Sequence, residues 1–278
     1  AVVAPFRYAR LIFSMTLGVM FLAERPNALT LLGAALIVAS VPIILAAIGE
    51  LVVERAGVLN LGLEGMMAFG AAIGFIVVYE GGGHFAAFVA AGFAGVGLAL
   101  VFAALALGLR ANQIAVGLAV GILGQGLSSL VGNSYESLTI TGLPKLAFPV
   151  LSDLPVVGGL FVQDIIVWLS LVATALIWAM FRYSRLGLIL RAVGENPVAA
   201  RAIGYPVVKL RLYAIMFGGG MAGLAGAYAA TVYTPLWADG MIAGRGWIAL
   251  ALVVFGTWLT GRIFFGACLF GAVSLASL

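Results

Sequence analysis

GVLNLGLEGMMAFGAAIGFIVVY, residues 57–79, is an apolar run broken only by Asn60 and Glu64. It exceeds the roughly 20 residues that a helix needs to cross a hydrocarbon layer about 30 Å thick. A carboxylate inside such a run is costly, so Glu64 is a functional candidate. Asn60 lies four residues earlier, and on a continuous helix the two side chains share one face and form a polar wall. Gly57, Gly62 and Gly65 around them favour a helix broken at membrane depth, the device by which transporters offer backbone groups and helix ends to a solute. The alternative is that Glu64 pairs with Arg55 or serves helix packing.

Further apolar runs occupy residues 11–23, 29–49, 85–109, 114–132, 161–181, 212–235 and 247–278. With 57–79 they predict eight membrane segments in an all-α, polytopic transmembrane helical bundle that includes broken or re-entrant helices. Composition agrees. Hydrophobic residues make up 64% and charged residues 9%, against about a quarter charged in soluble domains. The 38 glycines suit a bilayer interior, where small residues let helices approach closely. No soluble domain, coiled coil or internal repeat is visible. The first residues, AVVAPFRYAR, carry no initiating Met and no cleavable leader pattern, and the start reads as a fragment boundary.

Sidedness follows from the basic residues. The loop RYSRLGLILRAVGENPVAARAIGYPVVKLR sets Arg182, Arg185, Arg191, Arg201, Lys209 and Arg211 against the acid Glu195, which makes it cytoplasmic by the positive-inside rule. Counting back, Arg110, Glu54, Arg55, Arg7 and Arg10 lie inside, while the ERPN turn and the proline-bearing loop 133–159 lie outside. Arg245 falls outside on this count unless the segment after it is re-entrant, which the glycine-bordered GRGWIALALVVFG permits. The net charge of +4 is thereby explained by topology, and no nucleic acid is implied.

Several chemistries are excluded. No GxxxxGK[ST] loop is present, so the chain does not hydrolyse ATP by that chemistry. One histidine, His84, and one cysteine, Cys268, cannot build an ordinary zinc cluster. His84 is read as capping or solvating a loop, and Cys268 as a small buried hydrophobe. Asn112, Gln113, Gln125, Ser128 and Ser129 form a second polar group, with Asn112 and Gln113 either capping a helix or touching substrate. Gly117 with Gly121, and Gly218 with Ala222 and Gly226, are packing ladders. Tyr228, Tyr233, Trp237, Trp247 and Trp258 suit an interfacial aromatic belt, with stacking on a base or sugar ring as the alternative. In AVGENPVAARAIGYPV, Asn196 caps a short helix with Pro197 in its first turn, ended by Gly204 and Pro206. That helix is either a docking surface for an ATPase or an ordinary loop.

ERAGVLNLGLEGMM (54–67), RANQIAVGLA (110–119), RAVGENPVAARAIGYPV (191–207) and GRGWIALALVVFGTW (244–258) together resemble the permeases of nucleoside and simple-sugar ABC importers. The resemblance covers residues 41–278. It implies a coupling helix at Gly194, Glu195, Asn196, Pro197, Ala199 and Ala200, and a translocation pathway at Asn60, Glu64, Asn112, Gln113 and Trp247. It also implies a multi-pass bacterial inner-membrane subunit with cytoplasmic ATPase subunits that bind ATP and Mg, a second permease subunit, and an extracytoplasmic solute-binding protein. No catalytic residue, metal or cofactor is expected in this chain. Residues 1–40, with their AERP turn, instead resemble the last two helices of an EamA-type drug/metabolite transporter. They motivate an ion-coupled secondary transporter as the alternative. The permease family continues beyond FGACLFGAVSLASL, so the 41–278 domain is expected to be C-terminally incomplete.

Overall fold

The computed structural model describes residues 28–147 and 162–276. Ten α-helices are found among the described residues. They are α1 (Ala28–Arg55), α2 (Leu63–Tyr79), α3 (Gly83–Ala103), α4 (Gln113–Gly132), α5 (Ile165–Tyr183), α6 (Arg185–Glu195), α7 (Pro197–Ala202), α8 (Val207–Tyr228), α9 (Arg245–Phe255) and α10 (Thr260–Ala276). Single π-helical turns, Ala104–Gly108 and Ala229–Tyr233, extend α3 and α8. Helices α1, α3, α4, α5 and α8 are long and apolar enough to cross a membrane, whereas α2, α9 and α10 are shorter apolar helices. This is the expected all-α membrane bundle. The apolar run 11–23 and the ERPN turn lie outside the described residues.

Helix α8 sits at the centre, packed on α1, α2 and α3. Lipid tails are as apolar as leucine, so membrane helices associate through close van der Waals packing rather than by escaping water. The small residues provide it. A Cβ at Gly70 would meet Gly223 Cα at 2.5 Å, and Gly95 and Gly226 lie directly against backbone carbonyls of Gly219 and Met67. The ladder Gly218–Ala222–Gly226 is therefore a packing surface. Gly117 and Gly121 do the same for α4, against Leu61 and Gly62.

The break that the glycines favoured within 57–79 is present: α2 starts only at Leu63, and residues 57–62 form an unwound segment opened by Gly57 at φ +77°. Two expectations are corrected. Asn60 therefore does not share a helical face with Glu64. Its side chain instead accepts the Gly62 N–H at 3.1 Å, a local bond that competes with helix formation. The run 247–278 is likewise two helices, because Thr257 and Trp258 take positive φ and reverse the chain between α9 and α10.

The ends of the bundle differ in charge. At one end, arginines donate to the carbonyls that close other elements: Arg211 Nε to Ala56 at 3.0 Å, Arg55 Nη2 to Trp258 at 2.9 Å, and Arg191 Nη2 to Phe181. Cations at helix C-termini satisfy orphan carbonyls and favour the dipole. At the other end Tyr135 donates to Glu80 at 2.9 Å and Tyr228 to Asp164 at 2.8 Å. There β1 (Leu146–Ala147) pairs antiparallel with β2 (Val162–Gln163), and Thr139 bridges Leu236. The arginine-rich end is the one assigned to the cytoplasm.

Candidate translocation site

Helix α9 resolves the position of Arg245. The chain leaves the end of α8 at the end of the bundle opposite the arginines, where the Trp237 carbonyl accepts the Ser137 N–H at 2.9 Å and that of Pro235 the Ile140 N–H at 3.2 Å. It then turns inward, and α9 begins beside Glu64. Its 11 residues span about 16 Å at 1.5 Å per residue and end near Glu54, which accepts the Trp258 Nε1–H at 2.5 Å. The start of α9 thus lies about half a membrane thickness from that end of the bundle. Arg245 lies there, within the bundle and not at its opposite end, with its guanidinium 5.0 Å from the Tyr233 ring centroid.

The Glu64 carboxylate, 6% exposed, closes this half-helix. Oε2 accepts the Gly244 N–H at 3.1 Å and the Trp247 N–H at 3.4 Å, while Oε1 accepts Gln125 Nε2 at 3.2 Å. These donors sit at a helix N-terminus, where orphan N–H groups and the dipole favour an anion. That is the physical reason a carboxylate is tolerated here. Its partner is not Arg55, which bonds Trp258. Only glycine fits at position 246, because a Cβ there would lie 2.5 Å from Glu64 Cα.

Beside this contact is a cavity of about 210 Å³ lined by Glu64, Gln125, Ser128, Ser129, Trp237 and Asp239, among others. Ser129 Oγ donates to Asp239 Oδ1 at 2.6 Å, and Ser128 Oγ to the Ala68 carbonyl at 2.9 Å. Trp237 is 2% exposed and packs against Phe75 with ring centroids 6.4 Å apart. Tyr228 is also buried, on Asp164. Neither belongs to an interfacial belt: Gly132 leaves room for the Trp237 indole. Trp237, read first as a belt residue, lines the cavity, and Asp239 is a site residue missed by sequence reasoning. A signal existed for Asp239, an acid between two apolar runs.

The other expected pathway residues separate. Asn60 is fully buried in the unwound segment. Gln113 accepts the Leu59 N–H at 3.1 Å and so braces that segment. Asn112 is exposed and caps α4, accepting the Ile114 and Ala115 N–H groups at 2.9 and 3.3 Å. It stands thirteen residues, about 20 Å of helix, before Gln125 and does not join the cavity. Trp247 contributes its backbone N–H to Glu64, while its side chain is half-exposed. His84 does not cap its loop by a hydrogen bond: it borders an apolar groove between α3 and α5, and its Nδ1 has no partner among the described residues.

At the arginine-rich end, Asn196 caps α7 by accepting the Ala199 N–H at 3.0 Å, with Pro197 in the first turn. Glu195 closes α6. Ala200 is buried with Val193 and Val207, whereas Ala199 is exposed and Val198 and Ile203 are 78% and 72% exposed. Gly194 lies against the Arg55 carbonyl. Among the described residues, no group of three or more His, Cys, Asp or Glu side chains is placed to hold a metal ion.

A polytopic bundle with a short helix that starts on a buried carboxylate beside a polar cavity is an architecture suited to membrane transport. The chain belongs to the family described as "Branched-chain amino acid transport system / permease component", which matches residues 32–278. It is 43% identical over 245 residues to the putative glucose ABC transporter permease protein TsgC13 of Haloferax volcanii, covering 86% of this chain and 74% of the relative. It is 34% identical over 257 residues to the guanosine ABC transporter permease protein NupQ of Bacillus subtilis, covering 86% and 80%. With the nucleoside ABC transporter permease protein NupC of Lactococcus lactis it shares 30% identity over 257 residues, covering 88% and 81%. It is a multi-pass membrane transport subunit.

Proposed function

We propose that the chain is the permease subunit of an ATP-driven importer that carries nucleosides or simple sugars across a bacterial inner membrane. The observation that carries this reading is the Glu64 cavity at the broken α9, taken with the names of the relatives. The cavity lining presents acceptors from Glu64, Gln125, Ser129 and Asp239 and contains no Lys, Arg or His. Such a lining suits a neutral solute that offers hydroxyl and N–H donors. An ion-coupled carrier of the drug/metabolite type is the alternative suggested by residues 1–40; the relatives of the 32–278 body favour the ATP-driven reading.

The cavity is smaller than the roughly 300 Å³ at which small-molecule pockets begin. Gln125 is exposed at a depth where a bare amide does not face lipid. Both features support a second permease subunit, identical or sister, completing the walls. Helix α7 with exposed Val198 and Ile203 would seat a cytoplasmic ATPase that binds ATP and Mg, and the outer loops would receive a solute-binding protein. Alternating access then follows from a shift between two packings driven by the ATPase. Residues 1–40 are proposed as an EamA-like fragment joined to this permease body, the two readings overlapping at 32–40, where the family match begins.

Replacing Glu195 and Asn196 together by alanine tests the ATPase contact. Loss of the cap removes about 1 kcal/mol of local helix stability. Uptake into proteoliposomes should fall about tenfold or more, while ATP hydrolysis and membrane insertion persist. Unchanged uptake would sink the coupling role.

A further inference from the structure

Glu50 lies in α1, five residues before its end, and is completely buried. Its Oε1 accepts the Asn60 N–H at 3.2 Å, and its Oε2 is shielded with no hydrogen-bond partner among the described residues. A carboxylate buried at this cost is a poor choice if packing alone is needed there. What it touches explains it. Residues 56–62 are non-helical, so their backbone groups need other partners. The Ala56, Gly57 and Val58 N–H groups stay with the last carbonyls of α1 and the Gly62 N–H bonds the Asn60 side chain, but the groups between and beside them are held by side chains of separate helices. Arg211 of α8 holds the Ala56 carbonyl, Gln113 of α4 takes the Leu59 N–H at 3.1 Å, and Glu50 of α1 takes the Asn60 N–H. Against the same segment, a Cβ at Gly57 would meet Gly194 Cα of α6 at 2.9 Å. At the far end of the segment the chain enters α2 and, one residue later, reaches Glu64.

We propose that Glu50 is a positioning residue for transport: its carboxylate latches the 56–62 segment to α1, so that a displacement of α6 at Gly194 reaches the Glu64 cavity as a rigid movement. Gln113 is the second anchor of the same segment. The proposal rests on the reading of α6 and α7 as the ATPase contact. Without the latch, the segment stays joined to α1 only at its start, through the Gly57 and Val58 N–H groups, and its Asn60 half absorbs the displacement of α6 instead of passing it on. Transport is then lost while hydrolysis continues.

The test is the amount of solute imported per ATP hydrolysed, measured with radiolabelled guanosine and then glucose in proteoliposomes containing the chain, its partner permease, its ATPase and its binding protein. Glu50→Gln keeps an oxygen for the Asn60 N–H and should hold the ratio within about twofold. Glu50→Leu should lower it about tenfold, with hydrolysis and subunit assembly unchanged. Gln113→Leu should lower it by a smaller factor, roughly threefold. A wild-type ratio in Glu50→Leu, or a Glu50→Gln ratio as low as that of Glu50→Leu, overturns the latch. If Glu50→Leu does not assemble, an unchanged ratio in Gln113→Leu overturns it. Absence of ATP-driven uptake by the wild-type assembly of either solute would instead count against the importer reading itself.

Discussion

The bundle is interrupted at residues 57–62 ahead of α2 and again at 234–244 ahead of α9, and the two interruptions are built for different ends. Each uses glycines at positive φ, Gly57 in one and Gly240 and Gly244 in the other. In the first, Val58 and Asn60 are buried, and the backbone donors at Leu59 and Asn60 are tied to side chains of α4 and α1. In the second, Asp239, Gly240, Ala243 and Gly244 are exposed, and polar side chains border a cavity. A sealed interruption whose bonds reach several helices can pass on a displacement. An open one offers groups to a solute. Glu64 joins them, since it follows the first in sequence and caps the helix that follows the second.

The largest effect should therefore come from Glu64→Leu. It would strand the Gly244 and Trp247 N–H groups and the Gln125 amide, each orphan costing about 1–3 kcal/mol. Uptake should fall by about a hundredfold or more in cells whose membranes hold normal amounts of the protein on immunoblots. Asp239→Asn touches only the open interruption, leaving an amide that still accepts the Ser129 hydroxyl. It should raise the KM for uptake about threefold to tenfold, as the loss of roughly 1 kcal/mol implies, with the maximal rate unchanged. Asn112→Ala lies outside both and removes a cap. Thermal unfolding in detergent should show a loss of about 1 kcal/mol with KM unmoved, which separates a structural asparagine from the pathway.

Much of this was legible in the sequence for local reasons. The price of a charge in an apolar run singled out Glu64, the Asn196–Pro197 pair announced a capped turn, and the glycine borders of 244–256 allowed a re-entrant helix. The rest depends on tertiary neighbours. Whether Asn112 capped a helix or met a solute was open, because both roles suit an asparagine before an apolar run. Asn60 and Glu64 four residues apart suggested one face, yet Gly57 and the Asn60 side chain keep that stretch unwound. Trp237 resembled an interfacial anchor until Gly132 gave it a place inside. Nothing in the sequence pointed to Glu50, since its partner is a backbone N–H ten residues on in a segment of irregular shape.

The central claim, that the cavity at Glu64 is a water-accessible solute path within the membrane, is most directly tested by labelling a single cysteine at position 129. In a Cys268→Ser background, Ser129→Cys should react with a membrane-impermeant maleimide added from outside. Guanosine or glucose, supplied with the binding protein, should slow that reaction, whereas Leu176→Cys, on the exposed apolar side of α5, should stay unlabelled. Failure of Ser129→Cys to react, or a rate indifferent to both solutes, would contradict the account.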